Sequence, residues 1–186
     1  MPFATSAVKG LPCAASPPIL KRMTNTQNTP RIHRARGALL GLAVGDAVDT
    51  TVEFKPRGTF SPLTDMVGGV PFGLQAGQFT YDTSMALCLD ASLVEKGFDL
   101  HDQMTRYVRW ASDGYMSSNG RFFDIGIATR AALQRFKRSA NPLAGSTDPS
   151  SAGNGCIMRL APVPIRYIDQ PKLAVRYSEE QAQTTH

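Results

Sequence analysis

The stretch GQFTYDTSMAL, residues 77–87, places polar oxygens directly before an apolar helical segment. Four of the five positions from 80 to 84 carry a hydroxyl or a carboxylate on an aliphatic side chain: Thr80, Asp82, Thr83 and Ser84. Two interpretations fit this pattern. Thr80 or Asp82 can cap the helix by accepting backbone N–H bonds, or their oxygens can bind a hard cation such as Mg²⁺. Periodicity alone favours the cap.

Apolar residues recur at helical spacing on both sides of this stretch, and no segment alternates as a strand does. After the polar cluster, Met85, Leu89 and Leu93 follow at i, i+4 and i+8, and Gly97 is a natural helix stop. Asp99 is a natural N-cap for the next helix. We predict an all-α domain, with further helices over the segments 36–48, 99–114 and 124–139 and after Pro171.

The first predicted helix carries glycine at every fourth position, at Gly37, Gly41 and Gly45. Residues four apart lie on one face of a helix, so the three glycines form a stripe without side chains. We expect a neighbouring helix to pack closely against this stripe.

Two long segments lack periodicity and are rich in glycine, proline or serine, residues 54–78 and 139–155. Long irregular loops in compact domains are more often functional than not. The second loop ends in GNGC, residues 153–156, whose backbone N–H groups could hold an anion such as a pyrophosphate. The alternative is that Asn154 caps a short helix.

Charge and composition exclude several classes of function. The 186 residues suit one domain with a sizeable core. Residues 1–36 hold six basic and no acidic side chains, so the net charge of +5 becomes 14 basic against 15 acidic residues over 37–186. We therefore expect no nucleic-acid partner. No apolar run is long enough to cross a bilayer, and three distant cysteines form no disulfide or zinc pattern, so we expect a cytoplasmic protein without a membrane partner.

The first 33 residues differ from the rest of the chain. They are rich in Pro, Ser, Thr and Ala, contain no acidic residue and show no helical periodicity. We predict a disordered leader over 1–33, or a mis-annotated one if translation begins at Met23 instead of Met1. The folded domain is predicted to occupy residues 34–186.

Several segments, in order, resemble the ADP-ribosylglycohydrolase family. The matching segments are GALLGLAVGDAVDTTVEF, GQFTYDTSMALCLDASLVEKG, YVRWASDGYM, FFDIGIATRAALQRF, GNGCIMRLAPV and the closing TTH. The resemblance implies a compact multi-helix all-α fold with two Mg²⁺ ions. It also implies hydrolysis at C1″ of the ribose in ADP-ribose, with an ADP-ribosylated protein or an ADP-ribose-containing small molecule as partner.

The same resemblance implies roles for particular residues. Glu53 and Asp82 match catalytic positions, and Thr80 and Asp82 match metal ligands of a Thr-Asp-Asp motif. The implied substrate-binding residues include the loop that holds the diphosphate and a histidine of the same cleft: Asp46, Gly153, Asn154, Gly155, Cys156, Met158 and His186.

Three features depart from the family pattern. Tyr81 stands at the place of the motif's first aspartate, a ligand position, and Asp49 stands where the family commonly has glycine. The sequence contains no Asp-x-Asp, although relatives continue beyond TTH to an Asp-x-Asp-Thr motif. We therefore expect residues 34–186 to be the N-terminal portion of the domain, lacking its C-terminal helices, with at most a partial Mg²⁺ site. The alternative function is an impaired remnant or pseudoenzyme that binds ADP-ribose.

Overall fold

The computed structural model describes residues 29–186 of the chain. In this part, the α-helices in chain order are α1 (Thr29–Asp49), α2 (Tyr81–Glu95), α3 (Leu100–Asp113), α4 (Ile127–Ser139), α5 (Gly155–Met158), α6 (Pro162–Arg166) and α7 (Pro171–Ala182). A 3₁₀ turn lies at Pro149–Ser151. Over the described residues there is no strand, and one isolated bridge joins Gly69 to Leu74. The prediction of an all-α fold is confirmed.

Helix α2 lies at the centre of the fold and contacts α1, α3, α5 and α6. The predicted stripe of Met85, Leu89 and Leu93 is at most 1% exposed, as the i, i+4, i+8 spacing requires. Helix α3 covers it with Met104, Tyr107 and Trp110, which are also buried. The amino-terminal end of α2 directly follows the first long loop.

The predicted ends of α2 and α3 are confirmed. Gly97 follows the last turn of α2 with a positive φ of 76°, which a residue without Cβ adopts at little cost. The Asp99 side chain accepts hydrogen bonds from the backbone N–H groups of His101 and Asp102, at 2.9 and 3.0 Å. These local signals act within a few residues, which is why they can be recognised in the sequence.

Helix α1 begins earlier than the sequence suggests. It starts at Thr29, so the predicted leader boundary at residue 33 is corrected for residues 29–33. Pro30 is tolerated in a first turn because its missing N–H would have no helical partner there. Arg31 also donates to Asp169 at 2.6 Å, which joins this turn to the segment before α7. The rest of the predicted leader, residues 1–28, lies outside the described residues.

The expected close packing on the glycine stripe of α1 is wrong for the described part of the chain. A Cβ built on Gly37, Gly41 or Gly45 would have no heavy atom within 4 Å. On the same side of the helix, Leu40 is 65% exposed and Val44 is 47% exposed. The spacing of the glycines shows that they share a face, but it does not specify that another described helix covers that face.

Candidate functional site

The amino-terminal end of α2 is capped by a carboxylate from α1. Oδ1 of Asp46 accepts hydrogen bonds from the backbone N–H and the hydroxyl of Thr80, at 2.9 and 2.7 Å. Oδ2 accepts from the same two groups of Thr83, at 3.0 and 2.7 Å. A carboxylate at a helix N-terminus satisfies otherwise unpaired N–H groups and interacts favourably with the helix dipole. Asp46 therefore fixes how α1 and α2 meet.

This arrangement corrects the interpretation of Thr80 and Asp82 as caps. Thr80 occupies the N-cap position but makes no side-chain cap hydrogen bond. Its hydroxyl proton is donated to Asp46, so the lone pairs of that oxygen stay available to another partner. The substrate contact implied for Asp46 stays a prediction, while its four hydrogen bonds give it a structural role.

Asp82 is a carboxylate in an unfavourable environment. Its Oδ1 is sheltered from solvent and has no hydrogen-bond partner. Burial, followed by the charges of Asp46, Glu53, Asp49 and Asp124, raises the pKa of Asp82 to about 7. We call these five carboxylates the acidic cluster. A buried anion among other anions is destabilised until a proton or a cation compensates it.

Glu53 belongs to the same cluster and is half-buried. Burial, followed by the charges of Asp124 and Asp49, raises the pKa of Glu53 to about 7 as well. The predicted catalytic pair Glu53 and Asp82 thus interacts electrostatically, although the two residues come from different segments. Carboxyl groups with a pKa near neutrality can exchange protons at physiological pH.

Asp124 is a member of this cluster that the sequence analysis missed. Burial raises its pKa, although the Ile125 N–H and the charge of Arg130 act in the opposite direction. In the sequence Asp124 looks like the first residue of a helix, but α4 begins only at Ile127. The signal that could have identified it is its place in FFDIG, one of the segments that resemble the family.

The acidic cluster fits a cation only in part. Between residues 29 and 186, no three His, Cys, Asp or Glu side chains are grouped closely enough to enclose a metal ion. The unpaired Oδ1 of Asp82 and the free lone pairs of Thr80 nevertheless supply two oxygens of the kind that Mg²⁺ prefers. Mg²⁺ usually keeps several water ligands, so two protein oxygens suit a partial site.

Tyr81 connects the acidic cluster to a cleft of about 440 Å³. Burial, followed by the charges of Asp82 and Glu53, raises the pKa of its phenol, which stays neutral. Of the residues predicted to bind substrate, four line this cleft together with Tyr81: Gly153, Asn154, Gly155 and His186. The structure thus brings together two segments that the sequence keeps about 70 residues apart.

The glycines of the cleft lie close against the ring of His186. A Cβ on Gly153 would lie 3.0 Å from His186 Nε2, and one on Gly155 would lie 3.2 Å from Cε1 of the same ring. Both distances are shorter than ordinary van der Waals contact. Side chains at either glycine would therefore displace the imidazole.

The other predicted substrate residues do not line the cleft. Cys156 is buried and its carbonyl accepts a hydrogen bond from Gln181 at 3.1 Å, and Met158 is half-buried. Asn154 precedes α5, but its side chain makes no cap hydrogen bond, so the capping alternative is wrong. Helix α5 has only four residues, so the backbone of the loop, and not a helix dipole, would have to bind an anion.

Arg135 is a cleft residue that the sequence analysis did not single out. It lines the cleft from α4, and its Nε donates to the Ala144 carbonyl at 2.7 Å. Its Nη2 is sheltered from solvent and has no partner among the described residues. A guanidinium at this position places a positive charge at the wall of the cleft.

Known proteins match this arrangement of motifs. The ADP-ribosylglycohydrolase family model matches residues 27–186. The chain belongs to the ADP-ribosylglycohydrolase family. It is 55% identical over 135 residues to an ADP-ribosylarginine hydrolase Tri1 from Pseudomonas putida, covering 72% of this chain and 36% of that protein.

Two further comparisons agree with this family. The chain is 34% identical over 163 residues to the ADP-ribosyl-[dinitrogen reductase] glycohydrolase of Rhodospirillum rubrum, covering 84% of this chain and 53% of that one. A solved structure, an ADP-ribosylglycohydrolase-related protein complex, superposes with a TM-score of 0.72 at 46% identity, covering 84% of this chain and 50% of that chain. This family member thus spans between about a third and a half of the length of these three relatives.

None of the helices between residues 29 and 186 combines the length with the apolar character needed to cross a bilayer.

Proposed function

We propose that this chain carries the ADP-ribose site of a hydrolase that removes ADP-ribose from a modified arginine side chain. The arginine linkage is suggested by the names of the relatives from Pseudomonas putida and Serratia proteamaculans, both ADP-ribosylarginine hydrolases. In this proposal the cleft takes the diphosphate and distal ribose, and the acidic cluster faces the ribose whose C1″ bond is cleaved. The cytoplasm is the proposed compartment.

The observation that carries the proposal is the junction at Tyr81. Thr80 and Asp82 flank Tyr81 in the sequence. Their oxygens lie at the acidic cluster, while Tyr81 itself lines the cleft. A ligand that lies against Gly153 and His186 can therefore extend past Tyr81 to the carboxylates. A helix cap alone would require neither the cleft nor the unpaired oxygen of Asp82.

Residues of the acidic cluster would perform the chemistry. Cleavage of a glycosidic bond develops positive charge on the ribose, which nearby carboxylates stabilise. With its pKa near 7, Glu53 can hold a proton or accept one from water. Thr80 and Asp82 would hold Mg²⁺, which when bound supplies orientation of the ribose hydroxyls and stabilisation of negative charge.

A second function is favoured by the partial character of the metal site. Tyr81 offers a neutral phenol where the family motif has an aspartate, and the described residues hold no group of three metal-ligating side chains. A protein of this kind could bind ADP-ribose through the cleft and leave the bond intact. The two functions differ in whether binding depends on Mg²⁺.

Calorimetric titration with ADP-ribose, with Mg²⁺ and with EDTA, tests the proposal. We expect binding in both conditions and at least about threefold tighter binding with Mg²⁺, because a cation relieves the repulsion within the acidic cluster. Binding that is equal in both conditions would favour the non-catalytic function. Absence of binding in both would reject both functions.

Two Gly→Ala variants provide a matched comparison for the ADP-ribose titration. Gly153→Ala places a methyl group against the His186 ring and should weaken ADP-ribose binding. Gly41→Ala adds the same methyl group on α1, where nothing lies within 4 Å, and should leave the affinity unchanged. Equal affinities of the two variants would show that ADP-ribose binds elsewhere.

Replacing Tyr81 by aspartate should strengthen Mg²⁺ binding by about tenfold or more. The substitution adds one anionic oxygen ligand beside Thr80 and Asp82 and removes a neutral phenol. The measurement is a Mg²⁺ titration monitored by calorimetry. Tyr81→Phe is the matched control, since it removes the hydroxyl without adding charge. An unchanged Mg²⁺ affinity of Tyr81→Asp would show that position 81 is not a ligand position in this protein.

A further inference from the structure

The buried Arg159 makes an unusual set of contacts behind the cleft. It is fully buried, and among the described residues it forms no ion pair with a carboxylate. Its Nε donates to Gln181 Oε1 at 3.1 Å, and its Nη2 reaches three oxygens, the closest being Thr185 Oγ1 at 2.7 Å. Burying a charge in this way is unfavourable unless the surrounding groups compensate it.

Thr185 contacts both Arg159 and His186. Its hydroxyl oxygen lies 2.7 Å from His186 Nδ1 and 2.7 Å from Arg159 Nη2. A guanidinium can only donate, so the Thr185 oxygen accepts from Arg159 and its own proton needs another acceptor. Thr185 is fully buried, and within the described residues the acceptor in contact with it is Nδ1 of His186. Nδ1 therefore accepts, and the ring proton is on Nε2.

Nε2 is the nitrogen that faces the cleft loop. It lies 3.0 Å from the position that a Cβ of Gly153 would occupy, and the ring lines the cleft. Burial, followed by the charge of Arg159, lowers the pKa of His186 and keeps the ring neutral. A neutral ring with its proton on Nε2 presents a hydrogen-bond donor to whatever occupies the cleft.

We propose that Thr185, oriented by the buried Arg159, is a positioning residue that holds His186 as an Nε2–H donor for a diphosphate oxygen of the ligand. The inference rests on the proposed function for the identity of the ligand, but the state of the ring does not depend on it. Arg159 supplies positive charge behind the cleft without contacting the ligand. The Gly153–Gly155 loop leaves space through which the ligand can reach the Nε2–H of His186.

Nuclear magnetic resonance of protein labelled with ¹⁵N-histidine tests the ring state directly. The chain has three histidines, so His186→Gln assigns the signal. Without ligand, we expect His186 as the neutral tautomer with its proton on Nε2. A proton on Nδ1 overturns the proposal.

Two threonines with different contacts make a matched pair. Thr185→Val removes the hydroxyl that holds Nδ1, so we expect the tautomers to mix and ADP-ribose affinity to fall about tenfold. Thr184→Val also removes a buried hydroxyl that accepts from Arg159, at 3.1 Å, but not a contact with His186. It should leave both the tautomer and the affinity within about twofold of the parent. Equal effects of the two variants overturn the positioning role.

Thr185→Ser keeps the hydroxyl and should restore both readouts, which separates positioning from packing. A parent protein with the Nε2–H tautomer that changes in Thr185→Val, but that binds no ADP-ribose, would support the positioning role and contradict the proposed function. Loss of the tautomer preference in Thr185→Ser would contradict the positioning role itself.

Discussion

The variant Asp46→Ala is expected to lose about 2–4 kcal/mol of unfolding free energy, because four donors at the start of α2 lose their acceptor. The two backbone N–H groups, of Thr80 and Thr83, belong to buried residues and cannot all be rehydrated. The relief of repulsion within the acidic cluster offsets a part of this loss. In a domain of this size the change corresponds to a melting temperature lower by about 5–15 °C.

Urea denaturation followed by circular dichroism measures this effect, with Asp49→Ala as the control. Asp49 lies one turn further along α1, is exposed and makes no side-chain hydrogen bond in the described structure, so its loss should change stability by less than about 0.5 kcal/mol. Asp46→Asn keeps one acceptor oxygen and should fall between the parent and Asp46→Ala. Equal stabilities of Asp46→Ala and Asp49→Ala would contradict the capping role.

The second large effect is a loss of stability as pH rises from about 4 to about 7. The pKa values of Asp82 and Glu53 are about 7 in the folded chain, above the ordinary carboxyl range. The folded state therefore binds more protons than the unfolded state in this window, and its stability falls with rising pH. Both carboxyls are partly exposed, so solvent screening reduces the combined effect to about 1–2 kcal/mol.

Thermal unfolding at pH 5 and pH 8 without divalent cations measures this loss, expected as a melting temperature about 3–6 °C lower at pH 8. His186 contributes in the opposite direction, since its lowered pKa makes stability rise with pH. The variant Asp82→Asn isolates the contribution of the Asp82 carboxyl to the pH dependence, because this group titrates in the parent and is missing from the variant. A parent-minus-variant difference that increases between pH 5 and pH 8 would contradict the assignment.

Mg²⁺ should restore the stability that the protein loses at high pH. At pH 8 the cluster is anionic, so MgCl₂ should raise the melting temperature of the parent more than NaCl at equal ionic strength. In Asp82→Asn this excess should disappear, because a proposed ligand is gone. A parent that responds equally to both salts would show that the acidic cluster does not bind the cation.

Several structural features could be predicted from the sequence because they depend on near neighbours. The buried stripe from Met85 to Leu93 follows from helical spacing, and the Asp99 cap and the Gly97 stop act within three residues. Helical spacing also places Gly37, Gly41 and Gly45 on one face of α1. What lies against a face is a separate question, and here the prediction of a packed neighbour was wrong for the described residues.

The sequence by itself therefore determined the helical periodicity, the Asp99 cap, the Gly97 stop and the motifs that resemble the family. Only the tertiary structure decided that Asp46, 34 residues before Thr80, caps α2, that Asp124 joins the acidic cluster, and that Arg159 acts on His186 through Thr185. The physical reason is range. Helix periodicity and caps supplied by adjacent residues act over a few bonds of the chain, whereas hydrogen bonds and charges between distant segments depend on how the helices pack.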